Sequence, residues 1–252
     1  MKLKTGLLLS MALALSFFLA ACGGGGGGDD STPQITADQP GRIPGMGETP
    51  GSLQGTSFKL PAGVVLLGDV AGALPPHQTV SINSSSSKLT WIAGIYDAQI
   101  GSGRDVSINL RLMNKTTSAI KVIFPALLIA KPKNSAYQVG VLLKETSITL
   151  QPNVEYSVAL IMYCAQHQRG GSITGSVYDL SIVSTSSTLK ELADLLVYKK
   201  INVEEYKDNV SGDIMAYLSI YEKLSAIVWN LTDQGVPLSA IDKQWIASIP
   251  NS

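Results

Sequence analysis

Cys164 closes the apolar run from Tyr156 to Cys164 and is followed by Ala165-Gln166-His167-Gln168-Arg169. A thiol with an imidazole nearby can be a nucleophile served by a base, half of a metal pair or a cross-link to another chain. Its simplest reading is a small buried hydrophobe, which free cysteine commonly is. Spacing limits the chemical readings. In a continued strand Cys164 and His167, three apart, point to opposite faces, so only a turn after Ala165 can bring them together. The second histidine, His77, follows Pro75-Pro76 far away in sequence. Zinc takes three or four ligands, and the carboxylates are unclustered, so the sequence assembles no metal site and implies no cofactor. It assembles no Ser-His-Asp or Cys-His-Asn set either, so no residue is assigned as catalytic.

A second group lies in Ala226-Ile227-Val228-Trp229-Asn230-Leu231-Thr232-Asp233-Gln234-Gly235. Here a helix ends in an indole and polar residues. Its plain reading is a glycine-stopped C-terminus, with Trp229 packed on the body and Asp233 capping nearby amides. Together with Tyr163-Cys164, the segment resembles the thioester domains of secreted bacterial surface adhesins. In these a Tyr-Cys at a strand end is followed later by a helix reading Gln-x-Ala-Ile-Trp and then Thr-Asp-Gly. The resemblance implies a thiol-dependent surface domain, degenerate or active, in which cysteine and glutamine form an internal thioester. Cys164 and Trp229 match the pattern, but Ser225 holds the glutamine position, and serine has no carboxamide to give. Cys164, His167, Trp229 and Asp233 form the candidate thiol site, reactive or merely buried.

The other cysteine, Cys22, stands in a different context. Lys2 and Lys4 precede an apolar stretch from Leu7 to Leu19, closed by Leu19-Ala20-Ala21-Cys22. That stretch is shorter than the ~20 residues of a spanning helix and suits a cleaved signal peptide. The closing residues resemble the lipobox of bacterial lipoproteins. The resemblance implies that Cys22 carries diacylglycerol and an acyl chain such as palmitate, and that Gly23 directs the protein to the outer membrane of a Gram-negative bacterium. Several chains hold a protein on a bilayer where one does so only marginally.

The elements that must position the thiol follow from patterning. Residues 1–21 are the signal peptide. Residues 22–57 are a Gly- and Pro-rich tether, too poor in large apolar residues to repay ordering, with a reach of about 30 to 35 Å as a flexible coil. Residues 58–183 carry short β-rich runs cut by turns, at Val64 to Leu67, Thr79 to Asn83, Leu89 to Tyr96, Val106 to Met113, Ile120 to Ala130, Gln138 to Leu143, Ser147 to Leu150, Tyr156 to Cys164 and Val177 to Val183. Val106, Ile108, Leu110 and Leu112 alternate with Ser107, Asn109, Arg111 and Met113, the period of a half-buried strand. Runs at this spacing predict an Ig-like antiparallel β-sandwich. Residues 184–252 change period. Thr188 to Glu191 reads as a capping box before the stripe Leu189, Leu192, Ala193 and Leu196. A longer helix is expected from Ser211 to about Leu231, and a short one from Leu238 to Ile246. The fold class expected is therefore α+β, a sandwich followed by a helical C-terminal part.

The 19 basic and 19 acidic side chains balance. Removal of residues 1–21 takes two lysines and leaves 17 against 19, a net charge of −2. Without a basic cluster to displace phosphate counterions, nucleic acid is not an expected partner. The reading that results is a lipid-anchored envelope protein with a non-enzymatic binding or structural role. Its expected partners are the membrane, through the anchor, and a surface or protein partner whose identity the sequence leaves open.

Overall fold

The computed structural model describes residues 38–73, 78–83, 86–91, 96–206 and 212–252. The signal peptide, Cys22, the tether up to residue 37 and His77 lie outside the described residues.

The strands, in chain order, are Gly55–Ser57 (β1), Val64–Leu66 (β2), Val70–Gly72 (β3), Gln78–Asn83 (β4), Ser86–Trp91 (β5), Ala98–Gly101 (β6) and Val106–Asn114 (β7). They continue with Ile120–Phe124 (β8), Leu128–Pro132 (β9), Gly140–Val141 (β10), Thr146–Leu150 (β11), Glu155–Cys164 (β12) and Val177–Ser184 (β13). The helices are Ser187–Leu196 (α1), Gly212–Trp229 (α2) and Ala240–Ser248 (α3). A 3-10 turn at Val203–Tyr206 precedes α2, and a π-turn at Asn230–Gln234 follows it.

The sheet closes on itself, which corrects the expected sandwich. Strand β7 pairs with β3, and the ladder runs on through β13, β9, β10 and β12. Strand β12 then pairs with β7 at eight positions, from Glu155 opposite Met113 to Met162 opposite Val106. All six junctions of this ring are antiparallel. The result is a six-stranded barrel, with β1, β2 and β6 added to its strands. Short alternating strands serve a sandwich and a barrel equally well. What separates the two is whether the last strand of the ladder, β12, returns to pair with the first, β7, and these strands lie about 50 residues apart in the chain, a pairing that no local signal encodes.

The alternation in β7 does what its period demands. Val106, Ile108, Leu110 and Leu112 are buried, pointing into the barrel. Strand β12 is apolar on both faces because both are covered. Val158, Leu160, Met162 and Cys164 belong to the barrel core, whereas Ile161 and Tyr163 belong to a second core shared with the helices. The expected strand from Ile120 to Ala130 is two strands. Pro125-Ala126-Leu127 breaks it, with Leu127 at φ +66, and hands the chain from the β8–β11 ribbon to the barrel.

The helical part lies where its periodicity puts it, with Leu189, Leu192, Ala193 and Leu196 buried in α1. Its cap differs from the expected box. Ser186 is the N-cap and accepts from Leu189 N at 3.2 Å, and Asp38 also caps this end, accepting from the Ser187 backbone N–H and, at 2.9 Å, from the Ser186 hydroxyl. Asp38 comes from about 150 residues earlier in the chain, so a reading of the local sequence could not include it. Residues 38–57, assigned by sequence to the tether, form a strap on the body. Ile43 and Met46 are buried, Gly41 N donates to Leu231 O at 2.7 Å, and the strap ends as β1 against β13.

Candidate functional site

Cys164 ends β12 and points into the barrel, with 1% of its surface exposed. The chain leaves the strand at Ala165 and turns through His167 and Gln168. Within that bend Gln166 N donates to Cys164 Sγ at 3.2 Å. The turn carries His167 to the end of α2, where its ring meets the Trp229 ring edge-on with centroids 4.3 Å apart. His167 N donates to Asp233 Oδ1 at 3.1 Å. The single proton of the Thr232 hydroxyl is shared between Asp233 Oδ2 and Val228 O, the latter at 3.0 Å. Trp229 packs against the barrel core that holds Cys164. The structure therefore brings Cys164, His167, Trp229 and Asp233 into one cluster at one end of the barrel. As expected, Gly235 stops the helix in the left-handed region at φ +72.

The cluster's electrostatics favour the neutral thiol. Burial pushes the Cys164 pKa up to about 12. The Gln166 amide and the Trp229 indole oppose that rise, while the carboxylates of Asp105 and Asp233 add to it. The indole acts by proximity, since its buried Nε1 makes no hydrogen bond of ordinary geometry among the described residues. The His167 side chain makes no hydrogen bond to the sulfur among the described residues, so the imidazole is not placed as its base. A thiolate is the nucleophilic form, and here it is disfavoured and enclosed.

Among the described residues no carboxamide is placed to acylate the sulfur. Ser225, at the position where the thioester domains carry glutamine, is buried in α2. The Gln166 amide is engaged elsewhere, its Oε1 accepting from Val139 N at 3.2 Å and its Nε2 donating to Gly47 O at 3.1 Å. These bonds make Gln166 a structural clamp between β10 and the strap. Gly47 N also donates to Ala165 O at 2.7 Å, so the strap covers this end of the barrel. Gln166 and Gly47 were missed by sequence reasoning. The available signal was Ile43-Pro44-Gly45-Met46, two apolar residues within a glycine-rich stretch. Among the described residues no three His, Cys, Asp or Glu side chains converge as metal ligands.

Two larger depressions lie elsewhere. A polar one of about 400 Å³ runs beside the strap, past Glu48, Lys131 and Arg169. An apolar one of about 290 Å³ opens into the side of the barrel beside β2 and β13, with Leu110 and Leu112 in its wall. No family model matches the chain, and neither a curated protein nor a solved structure does.

Proposed function

We propose that this protein is a lipid-anchored component of the bacterial cell envelope with a non-enzymatic binding or structural role, held in the outer membrane by acyl chains on Cys22. The observation that carries this reading is Leu19-Ala20-Ala21-Cys22 behind a basic and then apolar N-terminus. The one described thiol is enclosed and has no hydrogen-bonded base among the described residues, which argues against thiol-dependent chemistry in particular. The test is metabolic labelling in a bacterial host with an alkyne analogue of palmitate, followed by membrane fractionation. Label on the wild-type chain in the outer-membrane fraction, lost in Cys22→Ser, is the expected result. An unlabelled wild-type chain in the soluble fraction overturns it.

The convergence of Cys164, His167, Trp229 and Asp233 favours a second reading, a thiol-dependent surface domain. Against it stand the sealed sulfur and the engaged Gln166 amide. Intact-mass measurement separates the two. A thioester formed from a thiol and a carboxamide expels ammonia and lowers the mass by about 17 Da, whereas a plain thiol gives the calculated mass and alkylates only after unfolding.

A further inference from the structure

We propose that the lateral apolar cavity of the barrel binds an uncharged apolar ligand, a single alkyl chain or a fused aromatic ring. The inference rests on the binding role proposed above and names the ligand class. Leu110 and Leu112 of β7 lie in the wall of the cavity and are almost wholly enclosed, whereas Leu66 at its mouth is 36% exposed. The cavity is thus a half-open depression whose floor rests on the buried leucines and whose accessible apolar surface comes from partly exposed residues such as Phe58, Leu60, Leu66 and Leu180. Gly68 lies beside the mouth in the left-handed region at φ +84, and a Cβ built there meets nothing within 4 Å. At about 290 Å³ the cavity is roughly twice the ~150 Å³ of an apolar cavity that takes up benzene. Its apolar walls with a few polar rim groups are those of an ordinary small-molecule site.

Charge at the mouth selects against an anionic head group. The cation that lines it, Lys133, already faces Asp69 at 3.7 Å. Asp179 lines it as well, opposite Lys131 in the β9–β13 register. A carboxylate or phosphate arriving there meets two carboxylates, each already facing an ammonium, so these groups offer it no unopposed cation in return for its lost hydration, which disfavours a fatty acid or phospholipid relative to a neutral chain. Neutral apolar surface entering the cavity gains from leaving water and from dispersion contacts with the leucine walls.

The test uses the whole chain carrying Cys22→Ser, titrated with the neutral fluorophore N-phenyl-1-naphthylamine and then competed with 1-decanol or decanoate. Saturable one-to-one binding is expected, with decanol displacing the probe at least about tenfold more effectively than decanoate. Leu66→Trp, which fills the mouth from a partly exposed position, should weaken binding by about tenfold or more while the circular dichroism spectrum is retained. Should that variant fail to fold, Leu60→Trp, at another partly exposed lining position, serves instead. Non-saturable binding, binding indifferent to both substitutions, or equal competition by decanoate overturns the proposal. Failure here with Cys22 labelling intact removes the ligand assignment alone, whereas loss of labelling removes the anchor and leaves the cavity result standing.

Discussion

At Gly47 the backbone has φ +55 and passes so close to the π-turn that an added Cβ would sit 2.3 Å from the Thr232 carbonyl oxygen. Gly47→Ala therefore adds backbone strain to a clash with main chain that cannot swing away. We expect a loss of about 1 to 3 kcal/mol, read as a lower urea midpoint, with faster alkylation of Cys164 as the strap lifts. An unchanged midpoint would mean that the strap is not packed as described. The titrating side chains set a second expectation. Cys164 and Tyr178 are each raised by burial to about 12, from 9.0 and 10.0. Groups with a raised folded pKa keep protons that the unfolded chain gives up, so their contribution is intact below pH 9 and is lost as pH climbs toward 12. Urea unfolding should show stability falling across that window, with Cys164 accounting for on the order of a few kcal/mol, and Cys164→Ala should flatten the fall. A midpoint independent of pH up to 11 sinks this expectation. The thiol cluster was partly legible because Cys164 and His167 are neighbours in sequence. Gln166 and Gly47 were not, since their roles exist only where β10 and the strap meet.

Besides the shared apolar core, a largely shielded ion pair ties the barrel to the helical part. Lys144, just after β10, donates from Nζ to Glu205 Oε1 at 2.6 Å and to the Lys199 carbonyl at 2.7 Å. The other Glu205 oxygen accepts from Ile201 N and Asn202 N, at 2.9 and 2.7 Å, which holds the 3-10 turn. Both side chains are largely shielded, so removing one charge strands the other. Lys144→Met should cost about 3 to 5 kcal/mol in chemical unfolding, and pairing it with Glu205→Leu should recover much of that loss. A single substitution that leaves stability unchanged would show that the pair does not hold these elements together. The stripe of α1 was legible because its apolar residues repeat at helical spacing. Its cap was not, because Asp38 reaches it from the strap. That carboxyl is raised by burial, but the bonds it accepts from Ser186, Ser187 and Thr188 outweigh this and hold its pKa below the ordinary value. Its contribution is therefore present above about pH 4 and lost as pH falls through the lowered value.

Strand β12 contributes to both hydrophobic cores, one inside the barrel and one under the helices. A barrel without helices would expose Ile161, Tyr163 and Val141 to water, and helices without the barrel would lose the face they pack on. One cooperative unfolding transition is expected for the whole chain, the same by circular dichroism and tryptophan fluorescence. A chain ending at Ser184 should lack that transition and bind hydrophobic dyes. A native-like, cooperatively melting truncation would show instead that the barrel is a separate domain.

What the sequence determined by itself was local. It set the strands from their alternation, the helical stripes from their period, the glycine stop after α2 and the N-terminal motif on which the anchoring proposal rests, because each depends on residues a few positions apart. The tertiary structure decided the rest. It closed the sheet into a barrel through β7 and β12, drew residues 38–57 of the expected tether onto the body and buried the one described thiol in the barrel core. Each of those outcomes depends on pairings between residues about 40 to 190 positions apart. Such contacts are selected by which surfaces can be buried together, a property of the folded whole that no short stretch of chain carries.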